Sequence, residues 1–166
     1  MLFRSIHFFD LARWYFHGIA EPVSVFAQAN AKRADHPELQ DHFSALVTFS
    51  GGRYAVISQC LGGWEHSQVV KISGREGALW ASWSGTMDRT LEPSFSLRIQ
   101  RGSVPEEVPI LRPAGEVFEL EDQFARFLEA IETGAPPAAT GEDGCWSVRM
   151  CLEAQESARR GVPVPF

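Results

Sequence analysis

Residues 5–18, SIHFFDLARWYFHG, predict one helix with a single ionisable side chain on its apolar face. Ser5 can cap the start by accepting a backbone hydrogen bond, and Gly18 can end the helix in a left-handed conformation. Helical spacing places His7, Leu11 and Trp14 on one stripe. A second stripe, which we expect to be solvated, carries Asp10, Arg13 and His17. His7 is therefore the only member of the apolar stripe with acid–base chemistry.

An alternating pattern after this helix predicts extended structure. Gly51-Gly52 joins two extended runs, which makes that hairpin the clearest one in the chain. The polar segment 31–41 contains Pro37 and is predicted to be a surface loop, with His36 and His42 solvated at or beside it. The predicted strands are residues 23–29, 43–49, 53–60, 66–73, 78–84 and 95–99.

A helical period returns near residue 116, and two helices follow, the second over residues 143–160. This order predicts an α+β fold, an open and mostly antiparallel sheet of about six strands with helices packed on one face. Trp80 and Trp83 lie on opposite faces of one predicted strand. We therefore expect both faces to be covered, one of them by a second subunit, with these tryptophans and Trp146 in the core or the interface.

Composition restricts the classes of partner. The chain has 166 residues and a formal net charge of -6, which fits a single domain over residues 1–166 and disfavours nucleic acid and membrane surfaces. The N-terminus lacks a signal-peptide pattern, and no apolar run is long enough for a membrane span. Cys60, Cys145 and Cys151 form no metal-binding or disulfide spacing. A cytoplasmic location is the expectation, with no metal site.

A resemblance to a known family begins in the first helix. His7, Asp10, Leu11, Arg13, Trp14 and Gly18 resemble the H-x-x-D-L-x-R-W...G segment of the Gfo/Idh/MocA oxidoreductases, where it follows the Rossmann domain. Residues 69–80, 124–137 and 140–164 resemble the family's G-x-x-G hairpin, its F-l-x-a-i-x-t-G helix end and its closing E-S-A-x-x-G helix. The resemblance implies a C-terminal domain of the dihydrodipicolinate-reductase-like type, over nearly the whole chain.

The resemblance also implies a role for His7. In the family the histidine helps a sugar hydroxyl lose its proton while hydride moves to the nicotinamide, and we carry this catalytic role to His7 alone. Phe3 occupies a position where many members have an acidic residue. The chain shows no G-x-G-x-x-G fingerprint and no E-K-P segment, and Lys32 and Lys71 are its only lysines. NAD or NADP is therefore implied for a complete enzyme, and none is expected to bind this chain alone.

Trp64 and His66 are the candidate substrate-binding residues. They follow Gly62-Gly63 at the start of a predicted strand, where an aromatic ring beside polar groups can stack on a sugar and bind its hydroxyls. A rim tryptophan that packs on the sheet fits the same residues, so this alternative stays open.

The hypothesis that combines these observations is a substrate-binding and oligomerisation domain of an NAD(P)-dependent sugar or polyol dehydrogenase, inactive without its Rossmann half. We expect a sugar or polyol substrate, a homo-oligomer through the sheet face, and a Rossmann domain supplied separately, whether the chain is a fragment, a truncated product or half of a split enzyme. The alternative is a non-catalytic module that dimerises or binds carbohydrate, which Phe3 and the absent lysine favour.

Overall fold

The computed structural model describes residues 2–38, 40–61, 66–84, 94–111 and 119–166, with side chains from Ser5 onward. The described residues form two compact units, one from residues up to 61 and from 139 onward, the other from residues between 66 and 138. Their elements, in chain order, are α1 (Leu2–Tyr15), β1 (Pro22–Asn30), β2 (His42–Phe49), β3 (Arg53–Cys60), β4 (Ser67–Ser73), β5 (Ala78–Ser84), β6 (Ser94–Gln100), β7 (Pro105–Glu107), α2 (Leu120–Thr133), α3 (Gly141–Arg160) and β8 (Val164–Pro165). The prediction of a single domain over residues 1–166 stays a prediction.

The first unit is a four-stranded antiparallel sheet in the order β3-β2-β1-β8, with α1 and α3 packed against it. Strands β2 and β3 pair Phe49 with Arg53 across the short turn Ser50–Gly52, so the Gly-Gly hairpin is confirmed. Both turn glycines have positive φ, which only glycine adopts without strain. The buried core is formed by Phe9 and Ala12 of α1, Met150, Cys151 and Ala154 of α3, and Val25, Ala27, Phe43, Ala45, Val47, Phe49 and Ile57 of the strands.

Helix α1 differs from its prediction in its start and in its buried stripe. It begins at Leu2, so Ser5 is not its cap; the buried Ser5 hydroxyl donates to Gln59 Oε1 at 2.6 Å. The stripe that packs on the sheet runs from Ser5 through Phe9 to Ala12, because the sheet offers Phe43 as a partner for the Phe9 ring. Gly18 adopts φ +70 after the helix, as predicted.

Strand β1 also differs in one detail. Strict alternation along the predicted strand 23–29 would put Val23 on the same face as Val25 and Ala27, but Val23 is exposed and Pro22 is buried. A register shift between Pro22 and Ser24 causes this, because one extra residue in a strand moves its neighbours to the opposite face.

The second unit contains a four-stranded antiparallel sheet in the order β4-β5-β6-β7, with Ser73 and Ala78 paired across the predicted turn. Helix α2 belongs to this unit and ends at Gly134, whose φ is +70. Its hydrophobic stripe is exposed throughout and consists of Leu120, Phe124, Phe127, Leu128 and Ile131.

The predicted fold class is confirmed, since the chain is an α+β protein with antiparallel strands, and helices cover one face of the first sheet. The described strands number eight in two sheets, where the prediction had about six in one. The two additional strands are β7 and β8, which contain only three and two residues. Strands this short leave no readable alternation in a sequence. Among the described helices, none combines the length and apolar character needed to cross a bilayer.

Candidate functional site

The exposed side of α1 carries the predicted catalytic residue. His7 is exposed, and Trp14, two helical turns further on, is also exposed and rests against the Tyr15 ring, with a centroid distance of 5.4 Å. The predicted stripe of His7, Leu11 and Trp14 therefore exists, but it faces away from the core. This placement leaves the imidazole accessible to a small molecule.

Helix α1 is held to α3 by polar contacts along its other side. The Ser147 hydroxyl donates to Asp10 Oδ1 at 2.6 Å, and Arg13 Nη1 donates to Asp143 Oδ1 at 2.5 Å. The Arg13 and Asp143 side chains are only 14% and 25% exposed. The prediction of a solvated stripe is confirmed for Asp10 and His17, which are exposed, and is wrong for Arg13, because α3 packs beside the Arg13 side chain. The Asp10 carboxylate accepts its hydrogen bond from Ser147, which gives Asp10 a structural role between α1 and α3.

Asp143 is ionised throughout the physiological pH range. The Thr140 hydroxyl, the Thr140 backbone N–H and the Arg13 guanidinium all donate to this carboxylate and hold its pKa well below the usual range. Asp143 also completes a capping box with Thr140 at the start of α3. These contacts make the Arg13–Asp143 pair a fixed attachment of α1 and leave the carboxylate unsuited to proton transfer at neutral pH.

The structure describes one of the two predicted substrate-binding residues, His66. Trp64 lies outside the described residues. His66 belongs to the second unit, where its ring meets Trp83 edge to face at a centroid distance of 5.1 Å, and its buried Nδ1 has no hydrogen-bond partner among the described residues. His7 belongs to the first unit.

The other tryptophans contact cations or the core. The Trp80 ring lies 4.6 Å from Arg98 Cζ and 6.0 Å from Lys71 Nζ. Trp146 is half-buried against the core of the first unit, as predicted. Cations over the Trp80 ring reduce its value as a stacking platform for a sugar.

In the described ranges, no glycine-rich turn leads from a strand into a helix N-terminus. A pyrophosphate site needs a glycine-rich turn that leads from a strand into a helix N-terminus. Here the glycines with positive φ lie in turns or just after helices, at Gly18, Gly51, Gly52, Gly102, Gly134 and Gly161. In the described part of the chain, no group of three or more His, Cys, Asp or Glu side chains is arranged to hold a metal ion.

One pair of reactive side chains was missed by the sequence reasoning. His42 was assigned to solvated surroundings, but it is the first residue of β2, and its Nε2 lies 3.3 Å from Cys60 Sγ at the end of β3. The hairpin contained the signal, because pairing Phe49 with Arg53 and counting outward pairs His42 with Cys60.

Comparison with known proteins places this architecture in a family. Residues 2–80 match the model of the GFO/IDH/MocA C-terminal domain. The oxidoreductase YrbE of Bacillus subtilis is 32% identical over 166 residues, an alignment that covers 96% of this chain and 46% of YrbE. The chain thus spans about half the length of the relatives that it matches.

Solved structures show the same fold. The aldose-aldose oxidoreductase from Caulobacter crescentus, complexed with glycerol, superposes with a TM-score of 0.74 at 24% identity, covering 98% of this chain and 46% of that one. The WlbA dehydrogenase from Bordetella pertussis, in complex with NADH and UDP-GlcNAcA, gives a TM-score of 0.65 at 20% identity, with 98% and 43% covered. The match over residues 2–80 and the similarity to YrbE over 96% of the chain identify this chain as a relative of the Gfo/Idh/MocA oxidoreductases, similar to their C-terminal domain, and the solved structures show the same fold.

Proposed function

We propose that this chain supplies the substrate-binding surface and the subunit interface of an NAD(P)-dependent sugar or polyol oxidoreductase. The observation that carries the proposal is the exposed His7 on a helix that polar contacts from Asp10 and Arg13 fix to α3. Two similar structures support the substrate class, since one is complexed with glycerol and the other with a UDP-sugar and NADH. Free thiols at all three cysteines fit a reducing compartment such as the cytoplasm.

The proposed task of His7 is to bind a substrate hydroxyl and to assist the departure of its proton. A neutral imidazole can accept a hydrogen bond from an alcohol and share its proton as the hydroxyl becomes a carbonyl. The nicotinamide would supply the hydride acceptor, and it would be bound by a nucleotide-binding domain outside the residues described here. The chain's own contribution is orientation, because the Arg13–Asp143 and Asp10–Ser147 contacts hold α1 in place.

We further propose that the open face of the first sheet forms the subunit interface. Four large side chains on this face are exposed, Phe26 by 40%, Leu46 by 39%, Tyr54 by 65% and Val56 by 66%. The remaining residues of β1, β2 and β3 on this face carry no formal charge, and His42 is the only ionisable histidine among them. Interface cores are depleted of charge, and a flat face of this kind can pair with a second copy of itself.

Calorimetric titration tests the proposed function. The purified chain would be titrated with glycerol, aldoses and UDP-N-acetylglucosamine, and separately with NAD(H) and NADP(H). We expect weak polyol or sugar binding without nucleotide binding, and a loss of about tenfold in affinity in His7→Gln. His17→Gln is the matched control, because His17 is exposed just after the same helix. Equal affinity in both variants would contradict the role of His7.

The alternative function is a non-catalytic dimerisation module of the same fold. It is favoured by Phe3 in place of the family's acidic residue and by the lack of a lysine in an E-K-P segment. The same titration separates the two functions. An oligomer that binds none of the sugars and polyols would support the module.

A further inference from the structure

The reactive side chains outside the proposed site concentrate at one end of the first sheet. His42 and Cys60 are cross-strand partners at the margin of β2 and β3. Beyond them, the Leu61 N–H donates to the Asp41 carbonyl at 2.7 Å, so residues 41 and 61 form a hydrogen-bonded pair. Antiparallel pairs alternate in type, which makes His42 and Cys60 a non-hydrogen-bonded pair with side chains in closer approach.

This register gives the His42–Cys60 contact a structural basis. The same alternation makes Ser44 and Ser58 a non-hydrogen-bonded pair, and their hydroxyls lie 3.0 Å apart. The separation of 3.3 Å between Cys60 Sγ and His42 Nε2 therefore belongs to a regular series along the hairpin. Neither side chain is buried, and Cys60 is exposed to solvent.

We propose that Cys60 is a thiol modification site that His42 activates as a base, and that its natural reagent is a low-molecular-weight disulfide. Nucleophilic cysteines are paired with a base within hydrogen-bond reach and are accessible to solvent. Both conditions hold for Cys60. Nothing in this inference depends on the proposed oxidoreductase function, so the two can fail separately.

The chemistry balances without a further reagent. The Cys60 thiol passes its proton to His42 Nε2, and the thiolate attacks one sulfur of the small disulfide. A bond forms between Cys60 and that sulfur while the bond inside the disulfide breaks. Its electron pair leaves with the second sulfur, which takes the proton from the imidazolium and departs as a thiol. Cys60 is thereby oxidised to a mixed disulfide, and the departing sulfur is reduced.

The strand residues next to the pair carry no charge. On the same face, the neighbouring side chains are Asn30 of β1, Ser44 of β2 and Ser58 of β3, all of them uncharged. Asp41 precedes His42 in the chain, and its Oδ1 accepts the Lys32 backbone N–H at 3.0 Å. His42 is therefore the ionisable side chain that the described strands bring to the thiol.

The pair lies at one end of the open face that we propose as the subunit interface. The row of His42 and Cys60 is four positions from the row of Leu46 and Val56, which corresponds to about 13 Å along the strands.

The other two cysteines provide references inside the same molecule. Cys145 is exposed in the second turn of α3, and no imidazole contacts its sulfur among the described residues. Cys151 is buried in the core, and burial raises the pKa of its thiol to about 11. The expected order of reactivity is Cys60, then Cys145, then Cys151.

The test measures the modification rate of each cysteine in the purified full chain by peptide mass spectrometry, with iodoacetamide and with glutathione disulfide. At pH 7 we expect Cys60 to react roughly fivefold or more faster than Cys145 with either reagent. The ratio should fall above pH ~9, where an ordinary thiol ionises without help. This wild-type comparison needs no variant and stands even where a variant does not fold.

Two variants identify the base. His42→Gln should lower the Cys60 rate to that of Cys145, and Ser44→Ala, which removes the adjacent hydroxyl pair, should leave it unchanged. Circular dichroism checks that both variants are folded. A wild-type Cys60 that reacts no faster than Cys145, or an unchanged rate in folded His42→Gln, would overturn the proposal.

Discussion

The backbone N–H of Ala27 donates to the Ser157 hydroxyl at 2.9 Å, although the two residues are 130 positions apart. Strand β8 pairs with β1 only at Ser24 and Val25, so it ends before Ala27. The hydroxyl then donates to the Val162 carbonyl at 2.7 Å. One fully buried serine of α3 thus continues the edge of the sheet and fixes the turn after its own helix.

Replacing Ser157 should destabilise the first unit. Ser157→Ala leaves a buried N–H and a carbonyl without their partner, so we expect the free energy of unfolding to fall by about 1–3 kcal/mol. Urea denaturation measures the change. Ser44→Ala, on the exposed face of β2, is the control and should alter stability by about 0.5 kcal/mol or less. Similar losses in both variants would show that the Ser157 contacts contribute no special stability.

Acid should weaken the attachment of α1 to α3 through Asp143. Its pKa is lower in the folded protein than in the unfolded chain, so its stabilisation is complete above the unfolded value of ~3.9 and declines as pH falls below it. In Asp143→Asn this loss is absent, and the fall in stability between pH 5 and 2.5 should be shallower than in the wild type. Thermal unfolding across this range gives the comparison, with Glu142→Gln as the control for the neighbouring carboxylate. Parallel curves for the wild type and Asp143→Asn would exclude this role.

Two glycines of α3 should respond in opposite directions to alanine. Gly144 lies inside the helix with open space around an added Cβ, so Gly144→Ala should stabilise by about 0.5–1 kcal/mol. Gly161 has φ +69 and its N–H donates to the Ser157 carbonyl at 2.8 Å. Gly161→Ala should destabilise by about 1 kcal/mol, because a side chain disfavours this conformation. Chemical denaturation measures both, and a change of the same sign would contradict the assignment.

If the open face of the first sheet is the subunit interface, a charged side chain placed on it should lower the mass of the oligomer in solution. The wild-type chain should sediment above its monomer mass of 18.5 kDa, and Val56→Lys should shift it toward the monomer, because an unpaired charge is costly in an apolar interface. Val69→Lys is the matched control, since Val69 is an exposed strand residue of the second unit. A monomeric wild type would remove the basis of this proposal.

Much of the fold was readable from local patterns. The Gly51-Gly52 hairpin and the ends of the last two helices at Gly134 and Gly161 were predicted correctly, since these depend on residues close together in the chain. The candidate site was only partly readable. Where the structure places His7 could not be read locally, because helical spacing defines stripes but does not say which stripe meets the core.

The sequence by itself determined most of the strand alternation, the helix ends at Gly134 and Gly161 and the family motifs, because each follows from residues close together in the chain. The tertiary structure decided which side of α1 is buried and which partners its polar side chains take. Phe9 packs on Phe43, and Arg13 binds Asp143 from a helix 130 residues away. Which side of α1 is buried depends on surfaces that meet only after the chain has folded. The free energy of burying a side chain or pairing two charges depends on both partners, and these lie far apart in the sequence.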